Sequence, residues 1–122
     1  YNYFDDKKYH RAYDIKNTKD GGIIVAGNST KTKDYSFDIL LIKLTKDGKE
    51  EWVKTFGNET NEVAYDIEQN NNSGYIVSGY ALVDKQNKIY NSFLVKTDSL
   101  GNVISRLDFS ASSNQLYDIN IK

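Results

Sequence analysis

The chain contains a sequence repeat, and this repeat restricts the fold more than any other feature. Residues 12–15 read AYDI, residues 64–67 read AYDI again and residues 116–119 read LYDI, so both intervals are 52 residues. The same offset relates GIIVAG at 22–27 to GYIVSG at 74–79. An offset of 53 relates LIK at 41–43 to LVK at 94–96. Such self-similarity at a fixed period is typical of arrays in which each unit packs only against its neighbours.

The offsets divide the chain into two whole units and two partial ones. We expect residues 1–11 to be the tail of a preceding unit, 12–63 the first unit, 64–115 the second and 116–122 the first strand of a following unit. The identities fall on glycine, aromatic and aliphatic positions, and the inserted residue falls in a polar stretch near 82–90. This distribution indicates a structural repeat, because a fold constrains these residue types most.

Turn residues divide each unit into four predicted strands. Asp-Gly and Gly-rich segments suit tight hairpins, and the runs between them are rich in β-branched and apolar residues. The predicted strands are 11–17, 23–28, 37–45 and 50–56, then 63–69, 75–80, 89–98 and 102–109. A helix over 61–69 is the alternative, since Val63 and Ile67 are four residues apart, but the Tyr and Ile content of the copies favours a strand.

The third strand is apolar on both faces, which requires cover on both sides. Residues 39–42 read ILLI. Four antiparallel strands per unit, stacked face to face, are typical of a β-propeller. The fold class we expect is therefore all-β, with propeller blades made of two four-stranded antiparallel repeats of about 52 residues and a partial strand at each end.

The repeat resembles one found in secreted and surface β-propellers of bacteria and archaea. The similar segments are DGGIIVAG at 20–27, DILLIKL at 38–44, DG at 47–48 and WVKTFG at 52–57. The second unit departs from this pattern, with Ser105 in place of the Trp and Ser110 in place of the closing Gly. The resemblance implies a propeller fold and a secreted or cell-envelope location, but no single activity, because the fold has many functions.

Two units cannot close a propeller, which typically has four to eight blades. Three outcomes are open: copies of the chain assemble head to tail into a ring, the chain is a fragment of a longer propeller, or the units form an open two-sheet structure. The expected partners are thus the chain itself or further blades.

Recurring aspartates and tyrosines are the first candidate site residues. Asp14, Asp66 and Asp118 lie in the strand that would line a propeller channel, where they would either bind a cation or accept backbone N–H groups. Tyr13, Tyr65 and Tyr117 stand beside them and either pack between units or form a binding platform.

Tyrosines in the predicted loops or at their edges are the second set of candidates. The loops at 29–36 and 81–89 are the longest and differ most between the units, so they are the expected contact edges. Exposed tyrosine offers rigid contact area at low entropic cost. We therefore expect Tyr35, Tyr80 and Tyr90 to contact a ligand.

Several function classes are disfavoured. The formal net charge is −1, which argues against nucleic-acid binding, and no apolar run approaches the ~20 residues of a membrane helix. The chain has no Cys and one His, so neither a thiolate metal site nor a Ser-His-Asp triad is indicated, and we expect no cofactor and no catalytic residue.

The sequence therefore favours a non-catalytic binding or scaffold module that presents loops to a glycan or a protein. The alternative is a structural fragment of a larger surface propeller. A hydrolase or lyase acting in the propeller channel is less favoured, because no acid–base or nucleophile pattern is present.

Overall fold

The protein is built from two similar antiparallel sheets. The structure is a computed structural model that describes residues 10–30, 37–57, 61–84 and 86–109. Within these residues there are eight strands and no helix. They are β1 His10–Asn17, β2 Ile23–Thr30, β3 Phe37–Leu44, β4 Glu50–Phe56, β5 Asn61–Gln69, β6 Tyr75–Asp84, β7 Ile89–Thr97 and β8 Val103–Phe109.

The first sheet has the order β1-β2-β3-β4 and the second the order β5-β6-β7-β8, so each strand pairs with its neighbour in the chain. All pairs are antiparallel. The all-β prediction and the prediction of two four-stranded antiparallel sheets are confirmed, and β5 is a strand rather than a helix.

A β-bulge occurs at the same position in both sheets. The pairing of β1 with β2 skips Tyr13, and the pairing of β5 with β6 skips Tyr65. Opposite each bulge lies a glycine: a Cβ atom on Gly27 would stand 1.7 Å from the Arg11 carbonyl oxygen, and one on Gly79 would stand 1.9 Å from that of Val63. The close approach of the bulged strand thus explains the final glycine of IVAG and IVSG.

The second sheet differs from expectation in the hairpin between β6 and β7. Residues 81–84 were expected in a loop, but they belong to β6, and Leu82 pairs with Tyr90. The physical reason is the Asp84 side chain, whose Oδ1 accepts the backbone N–H groups of Gln86 and Asn87, both at 3.1 Å. This contact closes a tight turn and lets the ladder continue to its edge.

The hydrophobic core lies between the two sheets. Side chains alternate across a strand, so each sheet has two faces. The side that carries Ile24 and Leu41 in the first sheet, and Ile76 and Leu94 in the second, is called the front face. The opposite side of each sheet is called the back face. The core joins the front face of the first sheet to the back face of the second, and Trp52 and Phe56 pack against it. Its members are Ile24, Ala26, Ile39, Leu41, Ala64, Ile67, Tyr75, Val77, Ala81, Phe93 and Val95.

Candidate functional site

Four tyrosines from four strands meet on one side of the molecule. Tyr13 and Tyr65 are the extra residues of the two bulges, whereas Tyr80 and Tyr90 lie on β6 and β7. Because a bulge turns its extra side chain away from the regular alternation, it brings the tyrosines of β1 and β5 towards each other. We call Tyr13, Tyr65, Tyr80 and Tyr90 the tyrosine cluster.

The rings of the tyrosine cluster are in sequential contact. The ring centroids of Tyr13 and Tyr65 are 5.1 Å apart, those of Tyr65 and Tyr80 are 5.2 Å apart, and those of Tyr80 and Tyr90 are 5.2 Å apart. These separations are in the range that aromatic pairs prefer. The hydroxyl groups of Tyr65 and Tyr80 are hydrogen-bonded to each other at 3.1 Å. The cluster is therefore a connected aromatic surface rather than four separate side chains.

The cluster is open to solvent. The exposed fraction is 41% for Tyr13, 46% for Tyr65 and 45% for Tyr90. The hydrogen bond with Tyr65, followed by burial, raises the pKa of Tyr80 to about 12. The hydroxyl of Tyr80 therefore stays protonated at neutral pH.

A charged group borders the tyrosine cluster and joins the two sheets. Asp14 Oδ2 accepts the backbone N–H of Ile67 at 3.0 Å, and its Oδ1 accepts that of Ile15 at 2.9 Å. The first of these bonds connects β1 of one sheet to β5 of the other. Asp14 thus has the geometry of the structural alternative, a carboxylate that fixes backbone.

Lys16 lies among three carboxylates of the same region. Its Nζ atom is 2.9 Å from Glu68 Oε1 and 3.8 Å from both Asp14 Oδ2 and Asp66 Oδ1. Glu68 and Asp66 are largely exposed, so water screens these pairs and they contribute little to stability. Within the described ranges no three acidic, His or Cys side chains are grouped so as to hold a metal ion.

The two aspartates have opposite pKa shifts. Burial alone raises the pKa of Asp14, but the hydrogen bonds from Ile67, Asp66 and Ile15 outweigh it and hold the pKa below its ordinary value. Burial raises the pKa of Asp66, and the nearby Asp14 carboxylate raises it further. The surroundings thus favour the ionised form of Asp14 and make ionisation of Asp66 harder than in an isolated carboxyl group.

The structure brings some of the sequence-predicted site residues together, and others lie outside the described residues. The structure brings together Tyr13, Tyr65, Tyr80 and Tyr90, and it places Asp14 beside Asp66. Tyr80 and Tyr90 were expected at the edges of the 81–89 loop; they lie within β6 and β7, because β6 continues past its expected end to Asp84. Three further residues of the prediction, Tyr35, Tyr117 and Asp118, lie outside the described residues.

The sequence did not predict a concave region near the β1–β2, β5–β6 and β7–β8 turns. It contains Lys43, Trp52 and Tyr75. The one available signal was the lysine in the otherwise apolar run LLIKL at 40–44, since a charged residue on a buried strand needs partners.

No protein-family model matches the chain, and no curated protein matches it. Among the described residues no helix is long and apolar enough to cross a membrane.

Proposed function

We propose that the chain is a pair of β-propeller blades and acts as a non-catalytic binding or scaffold module, secreted or on the cell envelope. The repeat resembles those of secreted and surface propellers, and the front face of one sheet packs on the back face of the next. Because the front and back faces are different surfaces, a stack of sheets joined in this way has a free face of each kind at its two ends. These two faces can join and close the stack into a ring.

The observation that carries the binding function is the tyrosine cluster. Soluble proteins rarely leave a contiguous apolar surface open unless it meets a partner. Tyrosine is enriched at such surfaces because its ring gives contact area and its hydroxyl gives a hydrogen bond. Half-exposed tyrosines beside ionised Asp14 and Lys16 offer both kinds of contact to a glycan or to a protein segment.

The alternative, a structural segment of a larger propeller, is favoured by a different observation. The front face of the second sheet has no cover within the described residues: Ile76 and Leu94 are half-buried there, whereas Ile24 and Leu41 of the first sheet are fully buried. A further blade on this face would complete the junction. Such a blade would also cover Tyr80, since the equivalent residue of the first sheet, Asn28, is only 2% exposed.

The test of the binding function is a screen of the chain against a glycan array and a displayed peptide library. For any ligand found, replacing Tyr13→Ala or Tyr90→Ala should weaken binding about tenfold or more, since aromatic anchors dominate such contacts. Ile104→Ala is the matched control, because Ile104 is 61% exposed but lies on β8, outside the cluster. Unchanged affinity in both tyrosine variants would contradict the assignment of binding to the tyrosine cluster. A ligand found on the glycan array indicates a glycan partner, and one found in the peptide library indicates a protein partner.

A further inference from the structure

A cleft opens between the two sheets at the end where the β1–β2, β5–β6 and β7–β8 turns lie. Its volume is about 470 Å³, and both sheets contribute to its wall. Asp20, Lys43, Glu51 and Trp52 come from the first sheet and its turn, and Gln69 and Tyr75 come from the second. Ligand sites typically occupy roughly 300 to 1,000 Å³ and combine aromatic walls with a few polar groups. The cleft shares no residue with the tyrosine cluster.

The buried ammonium group of Lys43 contacts two acidic side chains in one wall of the cleft. Lys43 is only 3% exposed. Its Nζ atom is 3.1 Å from Asp20 Oδ2, 3.3 Å from Glu51 Oε1 and 3.0 Å from the Leu44 carbonyl oxygen. All three N–H groups of the lysine therefore have acceptors, whereas each carboxylate keeps lone pairs that can accept from a ligand.

The charges of the cleft balance. Lys19 and Lys43 contribute two positive charges, and Asp20 and Glu51 contribute two negative charges. The pairing with Thr18, the Gly22 N–H and Lys43 lowers the pKa of Asp20 to about 2, so this carboxylate is ionised throughout the neutral range. A charged ligand gains no net Coulomb attraction from such a set.

The opposite wall carries Tyr75, whose hydroxyl has no hydrogen-bond partner among the described residues. Tyr75 is 1% exposed, and its ring meets that of Trp52 edge-on at 6.0 Å. In residues 10–30, 37–57, 61–84 and 86–109, no group forms a hydrogen bond with the Tyr75 hydroxyl. Burial, then the charges of Asp20 and Glu51, raise its pKa to about 12, so it remains a donor. This hydroxyl is therefore available to a polar ligand in the cleft that Tyr75 lines.

This constellation does not recur in the second unit. The residues there that correspond to Asp20, Glu51 and Trp52 are Asn72, Ile104 and Ser105. A set needed only to hold the sheet together would be kept in both copies, as the bulge and the turns are.

We propose that this cleft binds an uncharged, hydroxyl-rich ligand of one or two rings, that is, a mono- or disaccharide. The ring of Trp52 provides an apolar wall for the C–H face of a sugar, Asp20 and Glu51 accept from its hydroxyl groups, and Tyr75 donates to one of its oxygens. This site goes beyond the proposed function, because it is separate from the tyrosine cluster and stands whether or not that cluster binds a partner.

The experiment uses the fluorescence of Trp52, the single tryptophan of the chain. The chain is titrated with glucose, galactose, N-acetylglucosamine, cellobiose and lactose, and with acetate and methylammonium as charged probes. We expect a saturable change with at least one sugar and none of comparable affinity with either ion. Tyr75→Phe should weaken sugar binding about tenfold, since a lost hydrogen bond of about 1.4 kcal/mol is a factor of ten.

Tyr75→Phe removes a hydroxyl that has no hydrogen bond in the described chain, so the variant should fold and its urea midpoint should not fall. Tyr90→Phe, which removes a hydroxyl from the tyrosine cluster instead, is the matched control and should keep full sugar affinity. The proposal is overturned by a flat titration with all five sugars, by equal affinity of Tyr75→Phe and the unaltered chain, or by tighter binding of either ion.

Discussion

Asp14 and Asp66 are the same residue at the same position of two repeats, yet they have different surroundings. The Asp14 side chain is 20% exposed and accepts the Ile67 N–H of the next sheet, whereas the Asp66 side chain is 57% exposed. The difference arises because only Asp14 has a following sheet within the described residues. Position in the stack, rather than residue type, thus decides which carboxylate stabilises the fold.

Asp14→Asn should therefore lower the free energy of unfolding at pH 7 by about 1 kcal/mol, because the amide has one neutral acceptor oxygen for the two N–H groups that the carboxylate accepts. Asp66→Asn is the matched control and should leave the stability unchanged or slightly higher, since it removes the repulsion between two carboxylates. Urea denaturation of the three proteins measures both effects. Equal destabilisation by both changes would show that the bond from Ile67 to Asp14 contributes nothing.

The effect of Asp14 also has a predicted pH dependence. Its pKa is lower in the folded chain than in the unfolded chain, so its contribution is present above the unfolded pKa of about 3.9 and is lost as the pH falls through the folded pKa. The stability difference between the unaltered chain and Asp14→Asn should shrink below about pH 4. Asp66 has the opposite effect on stability. Because its pKa is raised in the folded chain, its ionisation makes the fold less stable as the pH rises.

At the scale of the element, local patterns were enough to predict the strands. The eight predicted strands agree with the observed ones, apart from their ends and the extension of β6 to Asp84, because turn residues and β-branched runs act within a few positions. The bulges were not predicted, since a bulge depends on how two strands pair rather than on one strand alone.

Half of the candidate site was predictable from the repeat. Tyr13 and Tyr65 are 52 residues apart, so stacked units place them side by side. That Tyr80 and Tyr90 join them depends on the register of β6 with β7, which the Asp84 turn sets. The cleft could not be predicted without knowing how the two sheets pack, because its walls come from strands and turns that are distant in the sequence.

The turns give a direct test of the packing between the sheets. Gly48 and Gly101 occupy the same turn position in the two units, and both have φ of 82°. A Cβ atom on Gly48 would meet nothing within 4 Å, whereas one on Gly101 would stand 2.6 Å from Cζ3 of Trp52 in the other sheet. The two glycines thus share the backbone constraint and differ only in the contact.

Gly48→Ala should destabilise the chain by about 1 kcal/mol, the cost of a left-handed conformation in a non-glycine residue. Gly101→Ala should cost about 1 kcal/mol more, because the methyl group crowds the ring and forces it to shift. Urea denaturation followed by circular dichroism, which does not depend on Trp52, measures both values. If both changes cost the same, Trp52 does not pack on the β7–β8 turn.

For the whole molecule, the two outward faces differ from the faces that meet. Ile67 on the back face of the second sheet is fully buried, but Ile15, its equivalent on the back face of the first sheet, is 60% exposed. On β8, Val103 is 49% and Leu107 is 57% exposed, where the first unit has Glu50 and Lys54. These exposed apolar side chains support the proposal that the outward faces pack against a further blade.

The front face of one chain and the back face of another can reproduce the junction seen between the two sheets. Because this contact is head to tail, it closes into a ring or continues without limit. A propeller of six blades, within the typical range of four to eight, would need three chains.

The most direct measurement is the solution mass of the chain by light scattering over a wide concentration range. The proposed stacking predicts a closed assembly whose mass is a fixed multiple of 13.9 kDa, three for a six-blade ring. Ile15→Lys should reduce that mass to one chain without unfolding it, because a charge on the exposed back face cannot be buried in the contact. A mass of 13.9 kDa for the unaltered chain at every concentration would contradict the claim that its outward faces pair.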